Sequence, residues 1–250
     1  MEEITHKAAQ YLATAAISFL EKKEDDSHTN LGWYSDSTSL RTHPLLLDGL
    51  MLAFNYNTFS LEWILKGNVL DQLKLSGTSH SDIVAWISST SMQRNITKKY
   101  EYRLHYDLPY DTITDDYIFE VTDADRLQWL IKNRTMAQEA IARTLEVHHL
   151  DSDIRIWPHH FDTGAFVSVD ANRSIGFGMA MPDTMINDFY YYVSGYRGHD
   201  FIDPASFETP SMGTVYSEGW KGIAQSVSGL DKETAFAFLN EAITLYKNNN

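Results

Sequence analysis

Apolar residues recur along the first segment at three- and four-residue spacing: Ile4, Ala8, Tyr11, Leu12, Ala15, Phe19 and Leu20. That period predicts an amphipathic helix with one apolar face. The polar run Glu21-Lys22-Lys23-Glu24-Asp25-Asp26 closes it. From Leu45 to Leu75 the pattern shortens to alternation, with Leu50, Leu52, Phe54 and Tyr56 on one side. Two β-prone runs, Phe59 to Leu65 and Val69 to Leu75, flank Lys66-Gly67-Asn68 and predict a hairpin. Ser81 or Asp82 is placed to cap a helix carrying Ile83, Val84, Trp86 and Ile87. Alternation returns from Tyr100 to Tyr110, where Tyr102, Leu104, Tyr106 and Leu108 oppose Arg103, His105 and Asp107 and predict a strand ended by Pro109.

A second long helix is expected from about Asp123 to Leu145, capped by Thr122 or Asp123, with Leu127, Leu130, Ile131, Ala137, Ile141 and Leu145 as its buried stripe. Strands follow at Ile154–Trp157, Ala165–Val169, Ser174–Met181, Phe189–Tyr196 and Thr214–Val227, with a turn at Asp170-Ala171-Asn172-Arg173. Asp231 then caps a closing helix whose one face holds Phe236, Leu239, Ala242, Ile243 and Tyr246. This order predicts an α+β fold: mostly antiparallel sheet with long N-terminal, central and C-terminal helices packed on it. No low-complexity linker divides the chain, so residues 1–250 read as a single domain. A faint echo, Phe54 and Phe59 against Phe161 and Phe166, fits a duplicated helix-plus-sheet unit with halves of about 1–120 and 121–250.

Charge and composition narrow the partners. A formal charge of −14, with no basic cluster longer than Lys98-Lys99, argues against nucleic acid and anionic membrane. With no cysteine, disulfides, thiolate catalysis and cysteine-ligated zinc are excluded. The acidic start Met1-Glu2-Glu3, followed by His6, Lys7 and Gln10, does not resemble a signal peptide, and no apolar stretch reaches membrane-span length. The expected location is cytoplasmic. Nothing in the pattern sets the oligomeric state.

The segment richest in chemistry is Trp157-Pro158-His159-His160-Phe161-Asp162, since imidazole and carboxylate commonly move protons near neutral pH. Neighbouring residues of an extended chain face opposite ways, so His160 and Asp162 can share a site more readily than the two histidines, unless Pro158 turns the chain. The spacing lacks the H-E-x-x-H pattern, and any metal would need ligands from elsewhere, such as His148, His149, His199, Asp200 or Asp203. No metal set or cofactor is therefore assigned. His148-His149 follows the long helix closely, where imidazolium suits the helix end and a structural role fits better. Gly198–Pro204 has the composition of a loop. The run Phe189-Tyr190-Tyr191-Tyr192-Val193 is more often a packed central strand, although Tyr190 and Tyr192, with Trp157, could line a cleft. Neither a complete phosphate loop nor a G-x-S-x-G elbow occurs.

Several of these segments together resemble an uncharacterised family, domain of unknown function 5996. They are Leu31-Gly32-Trp33, the Phe161-Asp162 step, Gly176-Phe177, Phe189 to Tyr196, Gly219-Trp220 and the closing helix. The resemblance implies a whole-chain unit and no known activity. It also implies that Phe161 and Asp162 matter more to the shared structure than His159 and His160, with Asp162 accepting buried hydrogen bonds or lining a pocket.

Three functions fit these residues. The leading one is binding of a small polar or aromatic ligand in a cleft lined by Trp157, His160, Asp162, Tyr190 and Tyr192, with His159 beside it. The second is a hydrolase using His160 and Asp162 as a general-base pair or as metal ligands. The third is a structural or interaction module without chemistry.

Overall fold

The structure, a computed structural model, describes residues 1–249 and is an α+β fold with two antiparallel sheets. Its elements run α1 (Glu2–Phe19), β1 (Gly32–Tyr34), β2 (Ser39–Arg41), β3 (Met51–Asn55), β4 (Ser60–Leu65), β5 (Asn68–Lys74), α2 (His80–Gln93) and α3 (Ala124–His148). They continue with β6 (Arg155–Ile156), β7 (Thr163–Ser168), β8 (Arg173–Ala180), β9 (Tyr190–Arg197), β10 (Asp200–Ile202), β11 (Thr214–Tyr216), β12 (Gly222–Ser226) and α4 (Lys232–Asn248). The chain forms two compact units: residues 1–132 with 156–159, and residues 133–155 with 160–250. No helix among the described residues is long and apolar enough to cross a membrane.

In the first unit the sheet is a meander, β1-β2-β3-β4-β5, and α1 packs on β3. The predicted hairpin joins β4 to β5 through Lys66 and Gly67, both at positive φ. Helix α1 departs from a one-faced pattern, because Thr5, His6, Lys7, Gln10 and Thr14 are buried along with its apolar residues. The cover comes from residues 100–110. Their side chains alternate as expected, but they form no strand, which corrects the sequence expectation. They lie along the helix: Tyr100 bonds Thr14 at 2.8 Å, Tyr102 packs on the Tyr11 ring at 5.0 Å, and Tyr106 donates to Gln10 Oε1 at 2.7 Å. Alternation marks an extended chain with one buried side; it does not specify that the neighbour is a strand.

The cap of α2 is Ser79, whose Oγ accepts from the Asp82 amide at 3.2 Å, so the helix starts earlier than the apolar pattern suggested. For α3, Asp123 Oδ1 accepts from the Arg126 amide at 2.8 Å, in the capping role expected of Asp123.

The second sheet runs in the order β11-β12-β9-β8-β7, with β10 also pairing β9. Helix α4 packs on β8 and β9, and its N-terminus carries a capping box between Asp231 and Thr234. Two sequence expectations change here. Thr214–Val227 is two strands, because the chain turns at Gly219 with φ +70°. The Gly198–Pro204 segment is not all loop: Gly198, at φ +62°, turns the chain so that Asp200 pairs with Arg197.

Candidate functional site

The sequence hexapeptide at residues 157–162 is divided between the two units. Ile156 forms an antiparallel bridge with Leu31, and the Pro158 carbonyl accepts from His6 Nε2 at 2.6 Å and Gln10 Nε2 at 3.0 Å. Pro158, His159 and His160 form a turn. In the first unit, His159 sits 5.6 Å from the Tyr106 ring and 6.1 Å from the Trp157 ring. His160, Phe161 and Asp162 belong to the second unit.

In that second unit Phe161 is buried and holds a left-handed backbone, φ +58°. A non-glycine residue adopts this region at a cost of order 1–3 kcal/mol, so its surroundings must hold it there. Arg134 of α3 does so. Its guanidinium lies 4.5 Å from the Phe161 ring and donates to the Phe161 carbonyl at 3.3 Å and to Thr163 Oγ1 at 2.7 Å. Arg134 is itself buried at 5% exposure. The clamp fixes the residue immediately before Asp162.

On β9, side chains alternate between faces as the pleat requires. Tyr191 and Val193 are fully buried, while half-buried Tyr192 shares the opposite face with Tyr190. The Tyr192 hydroxyl donates to Asp162 Oδ2 at 2.6 Å. The Tyr190 hydroxyl donates to Asp183 Oδ2 at 2.7 Å. Tyr192 has room because its neighbours are small. It pairs with Gly178 on β8 and Ala224 on β12, and a Cβ on Gly164 would stand 2.9 Å from its hydroxyl. Trp220 meets the Tyr192 ring edge-on at 6.4 Å and lies 6.0 Å from Tyr216, adding an aromatic wall.

The electrostatics are set by burial. Burial pushes the Asp162 carboxyl above the usual carboxylate range, outweighing the downward pulls of Tyr192, His160, its own amide and Arg134. Burial, with Asp162 beside it, pushes the Tyr192 phenol well above its ordinary value, so the phenol remains a donor. The second carboxyl oxygen, Oδ1, is buried and has no hydrogen-bond partner among the described residues. Such an atom can accept from a ligand donor when ionised, or donate to a ligand acceptor when protonated.

Thus Asp162 and Tyr192 meet directly, and Tyr190 lies on the same strand face, bonded to Asp183. His160 is exposed and close enough to act on the Asp162 charge. Trp157 and His159 belong to the first unit. Arg134, Asp183 and Tyr216 were not singled out by the sequence patterns, and Trp220 entered only through the family resemblance. Among the described residues no group of three or more metal-ligating side chains is placed to hold an ion. Asp203, one of the residues weighed as a metal ligand, is bonded to Lys221 at 2.8 Å and caps Ala205, which hold its carboxyl down at about 2. His148 bonds Asn240 at 3.0 Å across α3 and α4. No protein-family model, no curated protein and no solved structure matches the chain.

Proposed function

We propose that the protein binds a small polar ligand at the Asp162–Tyr192 pair on the second sheet. One observation carries this reading. Asp162 has one oxygen fixed by the Tyr192 hydroxyl and the other, Oδ1, buried with no partner among the described residues. A buried polar atom left unpaired costs about 1–3 kcal/mol, and a ligand group bonded to it removes that cost. Tyr190, Tyr192, Tyr216 and Trp220 supply aromatic surface beside a single well-held polar group, the usual composition of a ligand pocket. The ligand class this supports is a hydroxyl- or amine-bearing molecule with a flat apolar face.

A fragment library screened by NMR on protein with labelled tyrosines tests the proposal. Fragments that shift Tyr190 and Tyr192 together in the wild type, and lose that effect in Asp162→Asn, support it. A library that leaves both tyrosines unmoved rejects it.

The hydrolase reading rests on a separate observation, the electrostatic influence of His160 on Asp162. An imidazole within electrostatic reach of a carboxyl whose pKa burial raises can exchange a proton with it. It predicts a hydrolytic activity lost in His160→Ala, and an activity unchanged by that substitution rejects it.

A further inference from the structure

A second site stands in the first unit, at the C-terminal end of α1, where a cavity of about 400 Å³ opens between the helix and residues 99–105. Three fixed cations, Lys22, Lys99 and Arg103, share its wall with two carboxylates, Asp26 and Glu101. Both carboxylates are already engaged: Asp26 Oδ2 with His105 Nε2 at 3.0 Å, and Glu101 with Lys99 at 3.4 Å. Among the described residues Lys22 and Arg103 have no carboxylate partner. Two left unpaired on one concave wall mark a place for a negative ligand.

Buried His28 adds a directional donor to the same wall. Its Nδ1 accepts from the Lys23 amide at 3.3 Å, which puts the ring proton on Nε2. Burial lowers its pKa against the upward pull of Asp26, and with Nδ1 accepting, Nε2 is a donor. A helix C-terminus would ordinarily repel an anion. Here Lys98 Nζ binds the Phe19 and Leu20 carbonyls at 3.0 and 3.2 Å and offsets that end of the dipole. One acceptor remains: Asp26 Oδ1 is buried with no partner among the described residues and calls for a hydroxyl. Ile17 and Leu104 complete the wall with apolar surface.

We propose that this cavity binds a small hydroxylated oxyanion, its phosphate or carboxylate held by Lys22, Arg103 and His28 and its hydroxyl by Asp26. The cavity lies within the size range of small-ligand sites. It shares no residue with the Asp162–Tyr192 pair and stands or falls without it.

Calorimetric titration at matched ionic strength, with inorganic phosphate, glycerol 3-phosphate and tartrate as probes, tests the site. Saturable single-site binding is expected for at least one probe. The double substitution Lys22→Ala with Arg103→Ala should weaken it by at least about tenfold, since each charged hydrogen bond is worth about that much. Both side chains are exposed, so an unchanged melting temperature is expected to show the variant folded. Lys132→Ala, an exposed cation elsewhere, should leave binding as in the wild type. Asp26→Asn should reduce the preference for glycerol 3-phosphate over inorganic phosphate. Tighter glycerol 3-phosphate binding assigns a phosphoryl ligand, and tighter tartrate binding a carboxylate. No saturable binding of any probe, or equal weakening by Lys132→Ala, overturns the proposal.

Discussion

The Tyr192 hydroxyl donates to Asp162 Oδ2 at 2.6 Å, tying the middle of β9 to the residue just before β7. The two depend on each other: the carboxyl is buried, and the phenol is its only hydroxyl donor among the described residues. Tyr192→Phe should therefore destabilise the protein by about 1–3 kcal/mol in urea unfolding, because a buried carboxyl is left unpaired. Asp162→Asn keeps an acceptor for the phenol and should cost about 1 kcal/mol or less. Equal stability of Tyr192→Phe and wild type would show that the bond contributes nothing.

The same pair sets a pH signature. The folded pKa of Asp162 is raised, so the folded state holds its proton more tightly than the unfolded chain does. That contribution is fully present below the ordinary carboxyl value of 3.8 and is lost as pH rises through the raised value. Asp162→Asn should flatten this part of the stability–pH curve, and an identical curve for the variant would contradict the assignment.

Buried histidines act in the opposite sense. The Tyr11 hydroxyl bonds His80 Nδ1 at 2.7 Å, and burial lowers the pKa of both His80 and His28. Their contribution is complete above the ordinary imidazole value of 6.5 and is lost as pH falls through the lowered values. His80→Gln should make acid unfolding in that window less steep than in the wild type.

Arg134 holds the left-handed Phe161 through its carbonyl and ring. Arg134→Met removes both hydrogen bonds while keeping most of the volume, and should cost about 2–4 kcal/mol. Arg134→Lys cannot bridge Phe161 and Thr163 with one planar group and should recover only part of that loss. Full recovery by lysine would reduce the clamp to a simple charge effect.

Gly164→Ala would bring a Cβ to 2.9 Å from the Tyr192 hydroxyl and 3.1 Å from the Phe177 carbonyl. The phenol must move, so fragment binding at the pair should fall more than stability does, the latter by about 1–3 kcal/mol. Gly178→Ala would press a Cβ against backbone, the Thr163 carbonyl and the Gly164 Cα, and should harm folding more severely.

Much of this fold was legible because period and caps are local signals. The helices α1, α3 and α4 and the β4–β5 hairpin follow from spacing, capping residues and a turn glycine. What spacing could not show was the neighbour. Residues 100–110 carry strand-like alternation, yet their buried side meets α1 through Tyr100, Tyr102 and Tyr106. The polar residues of α1 read as a solvent face for the same reason: His6 and Gln10 find partners in Pro158 and Tyr106, far away in sequence. For the candidate site, Asp162 and Tyr192 stood out by residue type, but nothing in the chain tells that they bond. Arg134 did leave a signal. It falls between Leu130 and Ala137 on the buried stripe of α3, where a charge needs a buried partner. The converging cations of the α1 cavity left none, because Lys22 and Arg103 are distant in sequence and become neighbours only when residues 99–105 fold along the helix.

The most direct test of the Asp162–Tyr192 site is a crystal soaked with fragments carrying a hydroxyl or amine on a flat ring. The account predicts a fragment whose polar atom lies within hydrogen-bond distance of Asp162 Oδ1, with its ring against the aromatic side chains around Tyr192. Fragments that bind only elsewhere, with Oδ1 bonded to another protein group, would contradict it.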